Sequence, residues 1–253
     1  MARFLLLLSL LALSAEAAEP IVVNSGERRT AVVELYTSEG CSSCPPADRW
    51  LSRLVETSGA EMQVLALSFH VDYWNYLGWR DRFSSADYTS RQRQLGANNR
   101  QQTIYTPEFF VDGKEARGSD NILDKIQQAN AEQPPLPLQL RVSRDAQGLL
   151  LEVTTDGAFD APLHHRYLVF ENELSSHVLR GENAGRKLSH QRVVRYMSPA
   201  LVLRAHNLHR IDIDPDWNAD NIGVAVLVTS PGSLRYLDAL QTSIAPLLGA
   251  RKH

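Results

Sequence analysis

The chain carries only two cysteines, and they stand three positions apart as Cys41-Ser42-Ser43-Cys44. Any chemistry that needs sulfur is confined to this stretch. Ahead of it, residues 31–37 are an apolar run of high β propensity; behind it, Pro45 and Pro46 fit only the first turn of a helix, where N–H groups have no helical partner. Trp50, Leu51, Leu54 and Val55 give that helix one apolar face, Ser58-Gly59 ends it, and residues 62–69 form a second apolar run. The unit is strand–helix–strand, and a right-handed crossover makes its strands parallel. A cross-link whose loop holds two residues removes little unfolded-chain entropy, and a chain of 253 residues can bury a core without one. The pair is therefore read as a chemical device and not as a staple.

Arg3, the apolar residues 4–13 and Ala15-Glu16-Ala17 read as a signal peptide over residues 1–17. The apolar run is too short to span a bilayer, and no later stretch is apolar enough. A periplasmic or secreted protein is expected, with no membrane span once the signal is removed. A disulfide persists in such a compartment. The net charge of −3, with both signs mixed along the chain, argues against nucleic acid as a partner.

Residues 70–79 (HVDYWNYLGW) form a loop dense in aromatics, and residues 84–98 read as a helix with Ser84 or Ser85 as its cap. Thr106-Pro107 leads into an apolar strand at 108–111, Asp112-Gly113 signals a hairpin, and a helix opens at 118–120 and runs to residue 131. This order resembles the thioredoxin fold over residues 31–131. In that family the proline after threonine has a cis peptide bond and lies against the cysteines, so the resemblance implies that place for Pro107, with Thr106 and Pro107 shaping a groove for an extended substrate. Three stretches, Val33 to Asp48, the 70–79 loop and Arg180-Gly181-Glu182-Asn183-Ala184-Gly185-Arg186, together resemble one secreted, thioredoxin-like bacterial family, domain of unknown function 1223. That family implies no established activity.

A thiolate, not a thiol, attacks disulfides. A free cysteine of pKa near 8.5 is only about 3% thiolate at pH 7, and a helix N-terminus lowers that pKa. Cys41 is expected to be the exposed attacking sulfur and Cys44 the buried resolving one, which displaces the mixed disulfide. Ser42-Ser43 lacks the proline or aromatic of the commonest thioredoxin dipeptide, which leaves the direction of electron flow open. Glu34 stands inside an apolar strand and has two readings. It is either a buried acid of raised pKa that takes the Cys44 proton, as an acid near this place does in thioredoxins, or an acid on a solvent edge or in an ion pair with Arg49 or Arg53. Trp74, with Tyr73, Tyr76 and Trp79, is read as a substrate-contacting lip or as packing for the helix at 84–98.

The rival chemistry is metal. Zinc wants four ligands, and two sulfurs with eight histidines in no paired motif do not supply them. Copper(I) is satisfied by Cys41, Cys44 and a third ligand such as His70, so a copper chaperone or metal-assembly module is the alternative function. Pro45 follows Cys44 where haem attachment needs histidine.

Residues 133–137 (QPPLP) read as a stiff linker. Short apolar runs at 138–142, 149–154, 166–170, 191–196, 200–206 and 223–229 suggest an antiparallel β-sandwich, while residues 234–245 fit either a helix or a final edge strand. The segment 180–186, followed by His190, is read as a loop reaching the cysteines or a partner, or as a surface connection. The expected architecture is an α/β thioredoxin-like domain over residues 18–132 followed by an all-β sandwich-like domain over 138–253. The expected function is thiol–disulfide exchange on protein substrates with an unidentified redox partner and no cofactor; a scaffold with a permanent disulfide is the third reading.

Overall fold

The computed structural model describes residues 18–59, 62–157, 161–230 and 234–248, and the signal peptide read at 1–17 lies outside them. The elements run β1 (Ile21–Asn24), β2 (Ala31–Thr37), α1 (Cys44–Thr57), β3 (Val64–His70), α2 (Ala86–Asn98), β4 (Glu108–Val111), β5 (Lys114–Ala116), α3 (Ser119–Asn130), β6 (Gln139–Asp145), β7 (Gly148–Thr154), β8 (His164–Glu171), β9 (Leu174–His177), β10 (Lys187–His190), β11 (Val193–Met197), β12 (Leu201–Val202), β13 (His206–Ile211), β14 (Ile222–Thr229), β15 (Tyr236–Ser243) and α4 (Ala245–Leu248). β2 and β3 are parallel, with Val32 opposite Leu65 and Thr37 opposite His70. Ser85 caps α2 by accepting the N–H of Asp87. At the turn from β4 to β5, Asp112 and Gly113 both take positive φ, 48° and 77°, the geometry that favours this pair in tight hairpins.

The pairing of strands overturns the expected fold class, an α/β thioredoxin-like domain followed by a β-sandwich-like one. Strands dominate, and they form three sheets. The largest has nine strands in the order β15-β14-β8-β11-β3-β2-β4-β5, with β12 beside β8; β1-β6-β7-β13 form a four-stranded sheet, and β9 pairs with β10. The two halves of the chain share the large sheet because β11 lies parallel to β3, with Val193 beside Ser68. The outer edge of β3 would otherwise offer unpaired N–H and C=O groups, and β11 satisfies part of that edge. β14 is buried along almost its whole length and so is the second half of β8. That is the pattern of central strands covered on both faces, not the alternation of a strand with one face in water. β1 arises before the first apolar run, where no strand is expected, and pairs with β6; residues 234–245, which fit either a helix or a final edge strand, supply the edge strand β15.

One face of the large sheet presents Val32, Tyr36, Leu65, Phe69 and Phe170 toward Tyr88 and Leu95 of α2. The other presents Val33, Leu35 and Ala66 to α1 and α3 at one end, and Val169, Val224 and Val226 to the four-stranded sheet at the other. Side chains alternate along a strand. On β2, therefore, Thr37 shares the α1 face with Val33 and Leu35, whereas Glu34 shares the α2 face with Val32 and Tyr36. Among the described residues no helix is long and apolar enough to cross a membrane.

Candidate functional site

Cys41 and Cys44 are joined by a disulfide at the start of α1. The chain leaves β2 at Thr37 and turns back on itself, with Cys41 N–H donating to the Ser38 carbonyl at 3.2 Å. Pro45 and Pro46 fill the first turn of α1, so that turn offers fewer free N–H groups to an anion than a proline-free one. Both cysteines are 0% exposed, which corrects the expectation of an exposed Cys41. The Thr106 carbonyl, on the cis Thr106–Pro107 bond, lies 3.8 Å from Cys41 Sγ. Trp74 donates its indole N–H to Thr106 Oγ1 at 2.7 Å. A Cβ on Gly40 would meet Trp74 Cβ at 3.1 Å, so glycine there lets the aromatic loop close on the cysteine turn.

The rest of the cover comes from the hairpin of β9 and β10. Its connecting turn needs Gly181 and Gly185, whose φ values of 76° and 79° lie where side chains are disfavoured. Asn183, fully buried, donates its amide to the carbonyls of Glu39 at 2.9 Å and Cys41 at 2.8 Å. Arg186 donates to Asn183 Oδ1 at 2.6 Å, and the Glu182 carboxylate accepts the Ser42 N–H at 2.9 Å. Segment 180–186 thus reaches the cysteines, and it does so as a latch.

On the α1 face of the sheet lies a buried set of acids and imidazoles. His70 Nδ1 is 2.6 Å from Asp81 Oδ2, and Asp81 also accepts the N–H groups of Glu39 and Phe83 at 2.9 Å. Glu39 accepts from Trp79 Nε1 at 2.8 Å and lies 3.2 Å from His190 Nε2. Burial alone would lower the pKa of His70, but the Asp81 carboxylate beside it, with Asp48 and Glu39, holds it above its ordinary value. Burial would raise Asp81, but His70 and the two backbone donors hold it low. Burial would likewise raise Glu39, and the hydrogen bonds from His190 and Trp79 bring it down. Asp48 is the exception: burial lifts its pKa, and His190 and His70 only partly offset the rise.

The His70–Asp81 pair makes a pH-dependent contribution to stability. The raised His70 value means a contribution complete below its unfolded value of 6.5 and lost as pH climbs through the folded one. The depressed Asp81 value means a contribution complete above 3.8 and lost as pH falls through the folded one. Asp81→Asn is therefore expected to cost about 1–3 kcal/mol, with the largest gap from wild type in mildly acidic solution between those two unfolded values. Denaturation midpoints measured across pH test this, and a gap that does not vary with pH would contradict an ionised pair.

Glu34, read as a proton acceptor for Cys44, is not beside the cysteines. It faces α2, where Arg91 grips it with Nε–Oε2 at 2.8 Å and Nη2–Oε1 at 2.9 Å, while Tyr36 donates at 2.8 Å and Tyr236 at 2.5 Å. Burial would raise its pKa, but Arg91 and the two hydroxyls hold it below the usual carboxylate range, so it stays ionised. Neither Arg49 nor Arg53 is its partner. His70, read as a third copper ligand, has Nδ1 committed to Asp81, and among the described residues no group of three or more His, Cys, Asp or Glu side chains is placed to hold a metal ion. Sequence reasoning passed over Asp48, Glu39 and Asp81. Asp48 had a readable signal: it interrupts the buried stripe of α1 formed by Cys44, Pro45, Leu51 and Leu54.

Two solved structures share this fold. An X-ray structure of a protein from Agrobacterium tumefaciens, a structural-genomics target, matches with a TM-score of 0.65 at 24% identity over 86% of this chain and 95% of that one. HBP35 of Porphyromonas gingivalis matches with a TM-score of 0.61 at 18% identity over 87% of this chain and 76% of that one. At such identities the likeness concerns the fold alone. No curated protein matches the chain. The family model described as protein of unknown function, DUF1223, matches residues 32–229, from the strand before the cysteines to the end of β14, and the chain belongs to that family.

Proposed function

We propose that this chain is an exported thiol–disulfide oxidoreductase acting on protein thiols or disulfides. One observation carries the reading: the chain's only two cysteines form a disulfide next to buried carboxylates and an imidazole, His70, with shifted pKa values, a setting that a mere staple does not need. Cys41 is the attacking sulfur and Cys44 the resolving one. Thr106, Pro107 and Trp74 border the approach to Cys41, and the 178–186 turn lifts to admit a substrate. Tyr76, 79% exposed, presents an aromatic ring to solvent from the same loop as Trp74. The signal pattern at residues 1–17 supports export to a compartment where a disulfide can cycle.

A second reading, a binding scaffold with a permanent disulfide, is favoured by the complete burial of both cysteines. Redox titration of the full chain separates the two. An exchanger equilibrates with glutathione buffers, and Cys44→Ser accumulates a mixed disulfide between Cys41 and a client. A permanent disulfide stays oxidised down to potentials near about −300 mV, and Cys44→Ser then traps nothing.

A further inference from the structure

A cleft of about 710 Å³ opens beside α2, between its first three turns, strand β11 and the chain around Asp214 and Trp217 beyond β13. That volume is typical of small-molecule sites. Neither cysteine borders it. Phe83 connects the two places: it lines the cleft, and its ring meets those of His70 and His190 at centroid distances of 5.4 and 5.8 Å.

Four arginines border the cleft, and they differ in what neutralises them. Arg91 is paired with Glu34, and Arg195 with Glu171. Among the described residues Arg166 and Arg82 pair with no carboxylate. Arg166 Nη1 donates to the Ser198 carbonyl at 2.7 Å, and Arg82 Nη2 donates to the Ser175 carbonyl at 3.0 Å. A carbonyl accepts a hydrogen bond without cancelling the charge. Arg82 is exposed and has water for company, but Arg166 is half-buried on β8. Taking a guanidinium from water without an anion is costly. Burial, and then the nearby charge of Arg91, push the Arg166 pKa below its ordinary value. Two acids, Asp87 and Asp214, also border the cleft, but both are exposed, where water and salt screen them. The uncompensated charge inside is therefore positive. The remaining wall is largely apolar, with Phe83 and Tyr88 buried and Met197 and Trp217 half-buried.

We infer that this cleft binds a small organic anion, whose carboxylate or phosphate group is gripped by Arg166, with Arg82 at the mouth, and whose apolar body packs on Met197 and Trp217. The inference goes beyond thiol–disulfide exchange and stands without it. Charge decides between an anionic and a neutral guest. A neutral molecule would displace water from Arg166 and leave the guanidinium unpaired, whereas an oxyanion replaces that water with a charge-assisted hydrogen bond. One carbonyl uses one of five N–H groups, and the planar fork that remains matches the oxygens of a carboxylate or phosphate. The exposed Asp87 and Asp214 disfavour a second anionic group at the outer end of the guest. The expected ligand is thus charged at one end and apolar at the other.

The test is calorimetric titration of the full chain at low salt with phenyl phosphate, benzoate, inorganic phosphate and phenol. One equivalent of phenyl phosphate or benzoate is expected to bind, and the tighter of the two identifies the head group. Inorganic phosphate should bind more weakly and phenol not at all, and added salt should weaken the anions. Arg166→Gln is expected to weaken the tighter anion by about tenfold to a hundredfold, the range for losing a hydrogen bond to a charged group. Arg82→Gln should have a smaller effect. Trp217→Leu should weaken phenyl phosphate and leave inorganic phosphate unchanged. The inference is overturned if neither organic anion binds at millimolar concentration, if phenol binds as tightly as they do, or if Arg166→Gln binds them like wild type. Should Arg166→Gln fail to fold, nuclear magnetic resonance of the wild-type chain decides. The Trp217 indole N–H signal, assigned through Trp217→Phe, must shift with phenyl phosphate and not with phenol, while that of Trp50 on α1 stays in place. A Trp217 signal unmoved by the anion overturns the site.

Discussion

Replacing Arg91 with leucine is expected to destabilise the protein by about 3–5 kcal/mol, the range for removing one partner of a buried ion pair. Glu34 is wholly buried in the middle of the large sheet, and among the described residues Arg91 is the cation that hydrogen-bonds it. Without the guanidinium, the carboxylate keeps only the hydroxyls of Tyr36 and Tyr236. Two neutral donors do not compensate a buried negative charge, so the chain must protonate Glu34 or unfold. Glu34→Gln is expected to cost a similar amount for the converse reason, since Arg91 is then buried uncompensated. The double replacement Glu34→Gln with Arg91→Leu removes both charges and should recover much of the loss, because the pair also costs desolvation to form. Denaturation midpoints of the four proteins, run as a double-mutant cycle, give the coupling directly. Because the folded Glu34 value is depressed, the contribution is complete above its unfolded value of 4.5 and lost as pH falls through the folded one. The same replacements should leave unchanged the rate at which a small dithiol reduces Cys41–Cys44 in the folded protein, since Glu34 faces α2 and the cysteines lie by α1. A cost below 1 kcal/mol would mean that water reaches the pair.

Glu34 also marks where the sequence is legible and where it stops. An acid inside the run from Ala31 to Thr37 announces itself, because such a strand is covered on both faces and the charge must be met. Which residue meets it depends on whether position 34 points to α1 or to α2, and Arg91 lies fifty-seven residues away on α2. Local periodicity fixes the alternation along β2 but not which face each helix covers. The same limit applies to the sheet. The elements around the cysteines follow from apolar runs, paired prolines and the Asp-Gly turn, all local signals. The junction of β3 with β11 is a pairing over long sequence separation and leaves no local trace. The continuous apolar runs of β8 and β14 did carry a trace, since strands buried on both faces belong in the interior of a large sheet. At the site, the Cys-x-x-Cys and the glycines of the 180–186 segment stand out in the sequence, but the acid–histidine cluster is assembled from β3, α1, β10 and two loops, and only the fold brings its members together.

Asn183→Ala is expected to accelerate reduction of Cys41–Cys44 by a small dithiol, by roughly fivefold to a hundredfold. With both cysteines fully buried, reduction under native conditions requires the 178–186 turn to open, and the observed rate scales with the open fraction. Asn183 closes that turn through two donated hydrogen bonds to the carbonyls of Glu39 and Cys41 and one accepted from Arg186. Alanine leaves the Glu39 carbonyl unpaired in a buried place and the Cys41 carbonyl with only the Cys44 N–H at 3.2 Å, a penalty of about 1–3 kcal/mol. Opening returns the carbonyls to water and removes the penalty, so the closed state alone is destabilised. Each 1.4 kcal/mol is about a factor of ten in the opening equilibrium, which places the acceleration between roughly fivefold and a hundredfold or more. Glu182→Gln should act in the same direction but more weakly, because its bond to Ser42 N–H is exposed and already shared with solvent. The Ser42 amide should exchange with deuterium faster in both variants. Global unfolding is separated from local opening by adding low denaturant: opening of the turn exposes little surface, so the accelerated rate should stay nearly flat with denaturant. A folded Asn183→Ala protein that is reduced no faster than wild type would remove the latch from this account and leave Thr106 and Trp74 as the groups that keep the disulfide closed.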